Sequence, residues 1–211
     1  MHPNNFRLTS AVVLAVVLAF SGCLSPSKTP ATRYYVLNSL YTPENKTPPV
    51  VILKDASVGV GPIGLSQVLD RPQIIIRTSL NEIRVVDLER WAGPLNENLI
   101  NVLVSNLSAL LSTVKVLKFP WNPKIPVDYQ IVMDITQFDG MPGGNVILRT
   151  RWGILSEKDD NVLSEGNLDL TEPIVGDTIA DMVSAQSRLV AKLSHEIAEE
   201  IKQLEEKKAQ Q

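Results

Sequence analysis

Val127-Asp128-Tyr129-Gln130-Ile131-Val132-Met133-Asp134-Ile135 is the stretch on which the fold turns. Val127, Tyr129, Ile131, Met133 and Ile135 are apolar, while Asp128, Gln130 and Asp134 fall between them. A period of two places these sets on opposite sides of an extended chain, so the segment predicts a strand with one buried face. On its C-terminal side, Gly140–Gly144 reads as a turn, and Val146–Leu155 and Asn161–Leu170 read as further strands. Arg149 and Arg151 alternate there with Leu148, Thr150 and Trp152, the pattern of a sheet with one solvated face. From about Asp177 the period lengthens. Ile179, Met182, Val183, Leu189, Val190, Leu193, Ile197, Ile201 and Leu204 make the apolar stripe of a long helix, with Asp177 placed as N-cap or first-turn anion. The charged tail from Glu205 to Gln211 is expected to fray.

Towards the N-terminus, Pro120, Pro123 and Pro126 interrupt the chain behind a strand-like Val114–Phe119. Before that, Pro94 opens a second helix whose Leu95, Leu99, Val102, Leu103, Leu107 and Leu110 recur at spacings of three and four. Gln73–Arg77 and Glu82–Leu88 predict a hairpin turning near Ser79-Leu80-Asn81. Val50–Leu53 and Ala56–Val60 suggest a strand followed by a turn at Gly61–Gly64, and Tyr41–Pro49 a loop. Arg33-Tyr34-Tyr35-Val36-Leu37 reads as the first strand. Strands mix with two amphipathic helices without regular βαβ alternation. The expected class is α+β: a single domain, a largely antiparallel mixed sheet, and both helices packed on one of its faces.

Composition narrows the function classes. Among 211 residues, 20 Lys+Arg stand against 23 Asp+Glu, giving a net charge of −3. That balance lacks the basic excess expected of a nucleic-acid binder. One cysteine rules out an internal disulfide framework, and with only two histidines the usual zinc spacings are missing.

The lone cysteine is informative through its position. Arg7 precedes an apolar run, Ala11–Phe20, then Ser21-Gly22-Cys23. This order of cation, short apolar core and small residues is that of a secretory signal, and the run is shorter than the ~20 residues a spanning helix needs. Ser21-Gly22-Cys23 resembles the lipobox of bacterial lipoproteins, with Phe20 where Leu is usual. The resemblance implies cleavage before Cys23, diacylation of its thiol, and outer-membrane sorting, because Leu24 stands where the inner-membrane retention signal has Asp. Residues 1–22 are then signal peptide, 23–32 (ending LSPSKTPAT) a lipidated tether, and 33–211 the folded domain. Cleavage removes Arg7 and leaves the chain one unit more negative, so acyl chains rather than charge would hold it at a membrane.

No constellation amounts to an active site. Gly59-Val60-Gly61-Pro62-Ile63-Gly64 fits G-x-G-x-x-G, but Pro62 lies inside it and another strand follows where a phosphate-binding helix should start, so a turn is expected. His195 reads as a solvated helix-face residue, and Glu157, Asp159 and Asp160 as a solvated turn. Trp152 reads as core. Trp91 and Trp121 flank Gly/Pro segments at strand ends, where they serve either as partner-binding anchors or as packing beneath a helix; both readings stand.

Three strings together resemble the ABC-type transport auxiliary lipoprotein family: Arg33-Tyr34-Tyr35-Val36-Leu37, Leu69-Asp70-Arg71-Pro72-Gln73-Ile74 with Arg77 following, and Arg90-Trp91-Ala92-Gly93-Pro94-Leu95. Gly93 stands where members commonly carry Glu. The resemblance covers essentially the whole chain after Cys23. It implies a non-enzymatic protein without cofactor, anchored through Cys23 to the periplasmic face of the outer membrane. It further implies work with an MCE-domain periplasmic protein and an inner-membrane ABC transporter or permease that move lipids or other hydrophobic molecules. Trp91, Trp121 and Arg71 are the candidate partner-binding residues. A periplasmic lipid-binding carrier and an envelope-assembly lipoprotein unrelated to transport remain the alternatives, and self-association through strand edges or the long helix stays open.

Overall fold

In chain order, the described residues form β1 (Arg33–Tyr35), β2 (Val58–Leu65), β3 (Gln73–Ser79), β4 (Glu82–Trp91), α1 (Leu95–Leu110), β5 (Val116–Lys118), β6 (Tyr129–Gly140), β7 (Asn145–Ser156), β8 (Asn161–Pro173) and α2 (Ile179–Ala209). The computed structural model describes residues 30–41, 48–113, 115–156, 158 and 161–210. Cys23, the expected signal peptide and most of the expected tether therefore lie outside the described residues, as do Val114, Glu157, Asp159 and Asp160 and most of the 41–49 loop. Thr32–Gln211 make one compact unit.

The α+β class holds, and the strands divide between two sheets. One has the order β5-β2-β6-β7-β8, the other β1-β4-β3. β6, β7 and β8 form an antiparallel meander, while β2 runs parallel to both β5 and β6. In the smaller sheet the predicted β3–β4 hairpin is antiparallel, and β1 adds in parallel to β4. Parallel pairing suits β1 and β4 because a long connection separates them.

Both helices lie on one face of the five-stranded sheet, α1 against β2 and β5 and α2 against β6, β7 and β8. Leu99, Leu103 and Leu107 of α1 and Leu189, Leu193 and Ile197 of α2 are fully buried, together with Ile131, Leu148 and Ile154 of the sheet. This is the period-four stripe of each helix meeting the period-two face of the strands. One polar group crosses the helix pair: buried Asn106 accepts from Ser39 Oγ at 2.6 Å and donates to Ser194 Oγ at 3.0 Å. Asn98 similarly accepts from the Leu37 N–H at 2.7 Å, stitching the segment after β1 to α1.

Four local expectations change. The expected Gly61–Gly64 turn is part of β2, which continues to Leu65 through a register shift between Val60 and Ile63. Gly61 has φ +115, which an L side chain rarely adopts, and it precedes a cis Pro62; a glycine–proline pair makes the irregularity without ending the strand. Val50–Leu53 is not a strand. Its N–H groups instead satisfy the last carbonyls of α1, Val50 on Leu110 O at 2.7 Å and Leu53 on Leu111 O at 3.0 Å. The N-cap of α2 is Thr178 rather than Asp177: its hydroxyl accepts from the Asp181 N–H and the Asp181 carboxylate accepts from the Thr178 N–H, a complete capping box. The expected fraying from Glu205 does not occur before Ala209, since Ile201 is buried and Tyr129 donates its hydroxyl to Glu205.

Candidate functional site

The face of the five-stranded sheet turned away from the helices is built in rows by strand register. Gly59, Gln130, Leu155 and Val162 make one row; Val132, Gly153 and Glu165 the next; then Gly64, Asp134, Arg151 and Asn167; then Gln137, Arg149 and Asp169. Asp134, Arg149, Arg151, Asn167 and Asp169 are exposed because their neighbours in sequence take the helix side. Arg149 is held in place, donating to Asp169 at 2.7 Å and to Gln137 Oε1 at 2.9 Å. Arg151 forms no side-chain hydrogen bond or ion pair among the described residues. A shallow groove of about 650 Å³ runs over this charged region, and a second of about 410 Å³ runs over Pro62, Val132, Leu155 and Val162. The face thus changes from charged to apolar along its strands.

Trp121 caps the apolar end. Its ring lies on Gly59, where a Cβ would come within 2.6 Å of ring carbon Cη2, so only glycine lets the indole rest on the strand. Phe119 braces it edge-on, with ring centroids 5.6 Å apart and planes at 83°. Trp121 is half-buried, one surface on the sheet and the other in solvent.

The other candidates sit elsewhere. Trp91 is 6% exposed and belongs to the core at the end of β4. Its N–H donates to Pro72 O at 2.8 Å, which brings the half-buried Arg71 to the same end of the small sheet. Arg71 Nε is buried without a hydrogen-bond partner among the described residues. Trp121 is therefore on the open face of the large sheet, whereas Trp91 and Arg71 meet beside the small one. Gly93 is exposed, with nothing within 4 Å of a Cβ built there, so its exchange for Glu removes no packing. The role of the first string is also visible: Arg33 Nε donates to both Glu89 oxygens at 2.9 and 3.1 Å across the β1–β4 pair. Burial pushes the Glu89 carboxyl up, but the Arg33 and Tyr35 hydrogen bonds outweigh it and hold the group below the usual carboxylate range.

The G-x-G-x-x-G segment lies in bulged β2 and leads through a turn at Ser66–Asp70 into β3, so no helix N-terminus faces it. Among the described residues no group of three or more His, Cys, Asp or Glu side chains is arranged to hold a metal ion. Among the same residues no helix is long and apolar enough to cross a membrane. Sequence reasoning treated Arg149 and Arg151 as a solvated face and missed that strand register gathers them with Asp134 and Asp169 along one groove.

A family model described as the ABC-type transport auxiliary lipoprotein component matches residues 35–198. No curated protein matches the chain. Among solved structures, protein XCC0632 from Xanthomonas campestris, assigned to the family DUF330, superposes with a TM-score of 0.69 at 18% identity, covering 85% of this chain and 100% of that one. An uncharacterized protein superposes with a TM-score of 0.66 at 22% identity, covering 82% of this chain and 99% of that one. A PelC dodecamer from Paraburkholderia phytofirmans gives a TM-score of 0.43 at 12% identity, covering 71% of this chain and 93% of that one. At these identities the first two likenesses are likenesses of fold.

Proposed function

Because the chain belongs to the ABC-type transport auxiliary lipoprotein family, we propose that it is a non-catalytic outer-membrane lipoprotein that docks a periplasmic transport partner through the open face of its large sheet. Cys23 carries the lipid anchor, and residues 24–32 are the tether. The partner is an MCE-domain protein fed by an inner-membrane ABC transporter or permease, and the cargo is a lipid or another hydrophobic molecule. ATP hydrolysis then belongs to another subunit.

The observation that carries the docking reading is the pairing of a solvent-facing indole at Trp121 with a free guanidinium at Arg151 on one exposed sheet surface. Tryptophan and arginine are the side chains most enriched at interface hot spots. A photo-activatable residue in place of Trp121, cross-linked in intact envelopes, is expected to yield an adduct with an MCE-domain protein. Adducts with unrelated envelope proteins only, or none, overturn the partner; the first result favours an assembly lipoprotein. The lipid-carrier alternative needs an enclosed apolar pocket. Among the described residues, the helix–sheet interior is filled by Leu99, Leu103, Leu189 and Leu193, and the two grooves on the sheet lie open.

A further inference from the structure

Three loop tips meet at one end of the molecule, and each presents a large apolar side chain to solvent. Leu80 at the β3–β4 turn is 91% exposed, Val175 in the β8–α2 loop 77%, and Met141 in the β6–β7 turn 46%. A chain of contacts fixes their proximity. The Arg77 guanidinium donates to Leu80 O and to both carboxylate oxygens of Asp139, two residues before Met141. Gly144 N–H then donates to Met141 O, and Ile174 N–H, next to Val175, donates to Gly144 O. Loop tips are ordinarily polar, and isolated exposed apolar residues need no explanation; three on adjoining tips make a patch.

The charge around the patch narrows its partner. Arg77 and Asp139 neutralise each other, Arg188 beside Pro173 is paired with Glu172, and Glu82, Asp177 and Asp181 are acidic. Four lysines, Lys54, Lys158, Lys207 and Lys208, border two clefts at the opposite end, near the start of β6 and the end of α2. The patch therefore suits an apolar phase rather than an anionic surface.

The direction of β1 indicates which apolar phase that is. β1 runs parallel to β4, with Arg33 opposite Glu89 and Tyr35 opposite Trp91, and β4 begins at Glu82 beside the Leu80 turn. The N-terminal end of β1 thus points towards the end bearing Leu80, Met141 and Val175. From Glu89 back to Glu82 the strand covers roughly 23 Å at about 3.3 Å per residue. The ten residues from Cys23 to Arg33 reach at most about 36 Å when extended. An acyl chain on Cys23 is within reach of the level of the loop tips.

We propose that Leu80, Met141 and Val175 insert into the periplasm-facing leaflet of the membrane that holds the Cys23 anchor, fixing the domain upright with its lysine-bearing end directed away. A lipid anchor on a tether leaves the domain free to tumble; apolar tips that enter the interface add a second, orienting contact. The inference rests on the lipoprotein reading of Cys23.

The test uses the full-length lipidated chain in vesicles of phosphatidylethanolamine and phosphatidylglycerol. Leu80→Cys, Met141→Cys, Val175→Cys and, as control, Lys207→Cys are each labelled with an environment-sensitive fluorophore, Cys23 being blocked by its lipid. The expected result is a blue shift and quenching by lipids carrying a nitroxide on the acyl chain at 80, 141 and 175, with neither at 207. Flotation with the vesicles without lipid quenching at the three tips overturns the inference and leaves the anchor standing. A blue shift at the tips that nitroxide lipid does not quench and that persists in detergent assigns the patch to a second protein copy and also overturns it. Failure of the wild-type chain to float, or an unmodified mass at Cys23, overturns the anchor reading and the inference with it.

Discussion

Arg77 and Asp139 join the two sheets: guanidinium Nε lies 3.0 Å from one carboxylate oxygen and Nη2 2.9 Å from the other, across 62 positions of sequence. The Asp139 side chain is only 3% exposed and also accepts from Gln137 Nε2 at 2.8 Å. A bidentate pair of this kind fixes angle as well as distance, so it sets how the β3–β4 hairpin meets β6.

Arg77→Ala leaves a buried carboxylate without its cation. It is expected to lower unfolding free energy by about 3 kcal/mol, the scale for breaking a buried pair by removing one partner. The double variant Arg77→Leu/Asp139→Leu should recover part of that loss. Urea titration of both variants measures the difference, and equal losses would refute the account.

At the other end of the large sheet, Gly59→Ala pushes a methyl into the Trp121 ring. The indole must lift off the strand, with a destabilisation of roughly 1–3 kcal/mol and a red shift of tryptophan emission. Trp121→Ala in the same background should abolish the additional shift. If Gly59→Ala leaves the emission unchanged, the ring does not rest on this glycine.

Acid should weaken the fold through Glu172. Burial pushes its carboxyl up, but hydrogen bonds from Lys192 at 2.6 Å and Arg188 at 2.5 Å, with their charges, bring it below the ordinary range. A folded-state pKa lowered in this way contributes stability that is present above the unfolded-state value and lost as pH falls through the folded one. Glu89 and Asp128 shift in the same direction. Between roughly pH 5 and pH 2 the wild-type stability curve should fall, and Glu172→Gln should flatten it. An unchanged slope in the variant would exclude Glu172 as a contributor.

Thr178→Ala removes the hydroxyl that caps α2 and is expected to destabilise by about 1 kcal/mol. Asp177→Ala, one residue earlier, should change stability far less. Thermal melts of the two variants separate the cap observed here from the one that charge alone suggested.

Local sequence carried the fold where a burial pattern repeats at short range, and not where distant strands meet. Alternation in Tyr129–Ile135 and the stripes of α1 and α2 were legible because each burial pattern repeats within a few residues. The split into two sheets was not, because it depends on β1 finding β4 about 56 residues away and on a hairpin leaving the main sheet. Gly61-Pro62 read as a turn since both residues favour one; neighbouring strands on both sides of β2 overrode that preference. At the candidate site, Trp121 stood out as an aromatic among prolines, whereas the groove around Arg151 exists only through the register of four strands. Trp91, equally conspicuous in sequence, turned out to be interior.

The first strand also decides how the molecule bears load. β1 is three residues long, and the chain enters it at Arg33 in the direction shared with β4. A pull along the strand axis on the chain ahead of Arg33 meets the β1–β4 hydrogen bonds and the Arg33–Glu89 contact together in shear rather than one after another. Beyond them, Asn98 and Asn106 grip Leu37 and Ser39 against α1, a second set of fastenings that engages only when the first has yielded. β1 and the segment after it are thus held by two clips in series, the Arg33–Glu89 pair ahead of the Asn98 and Asn106 contacts.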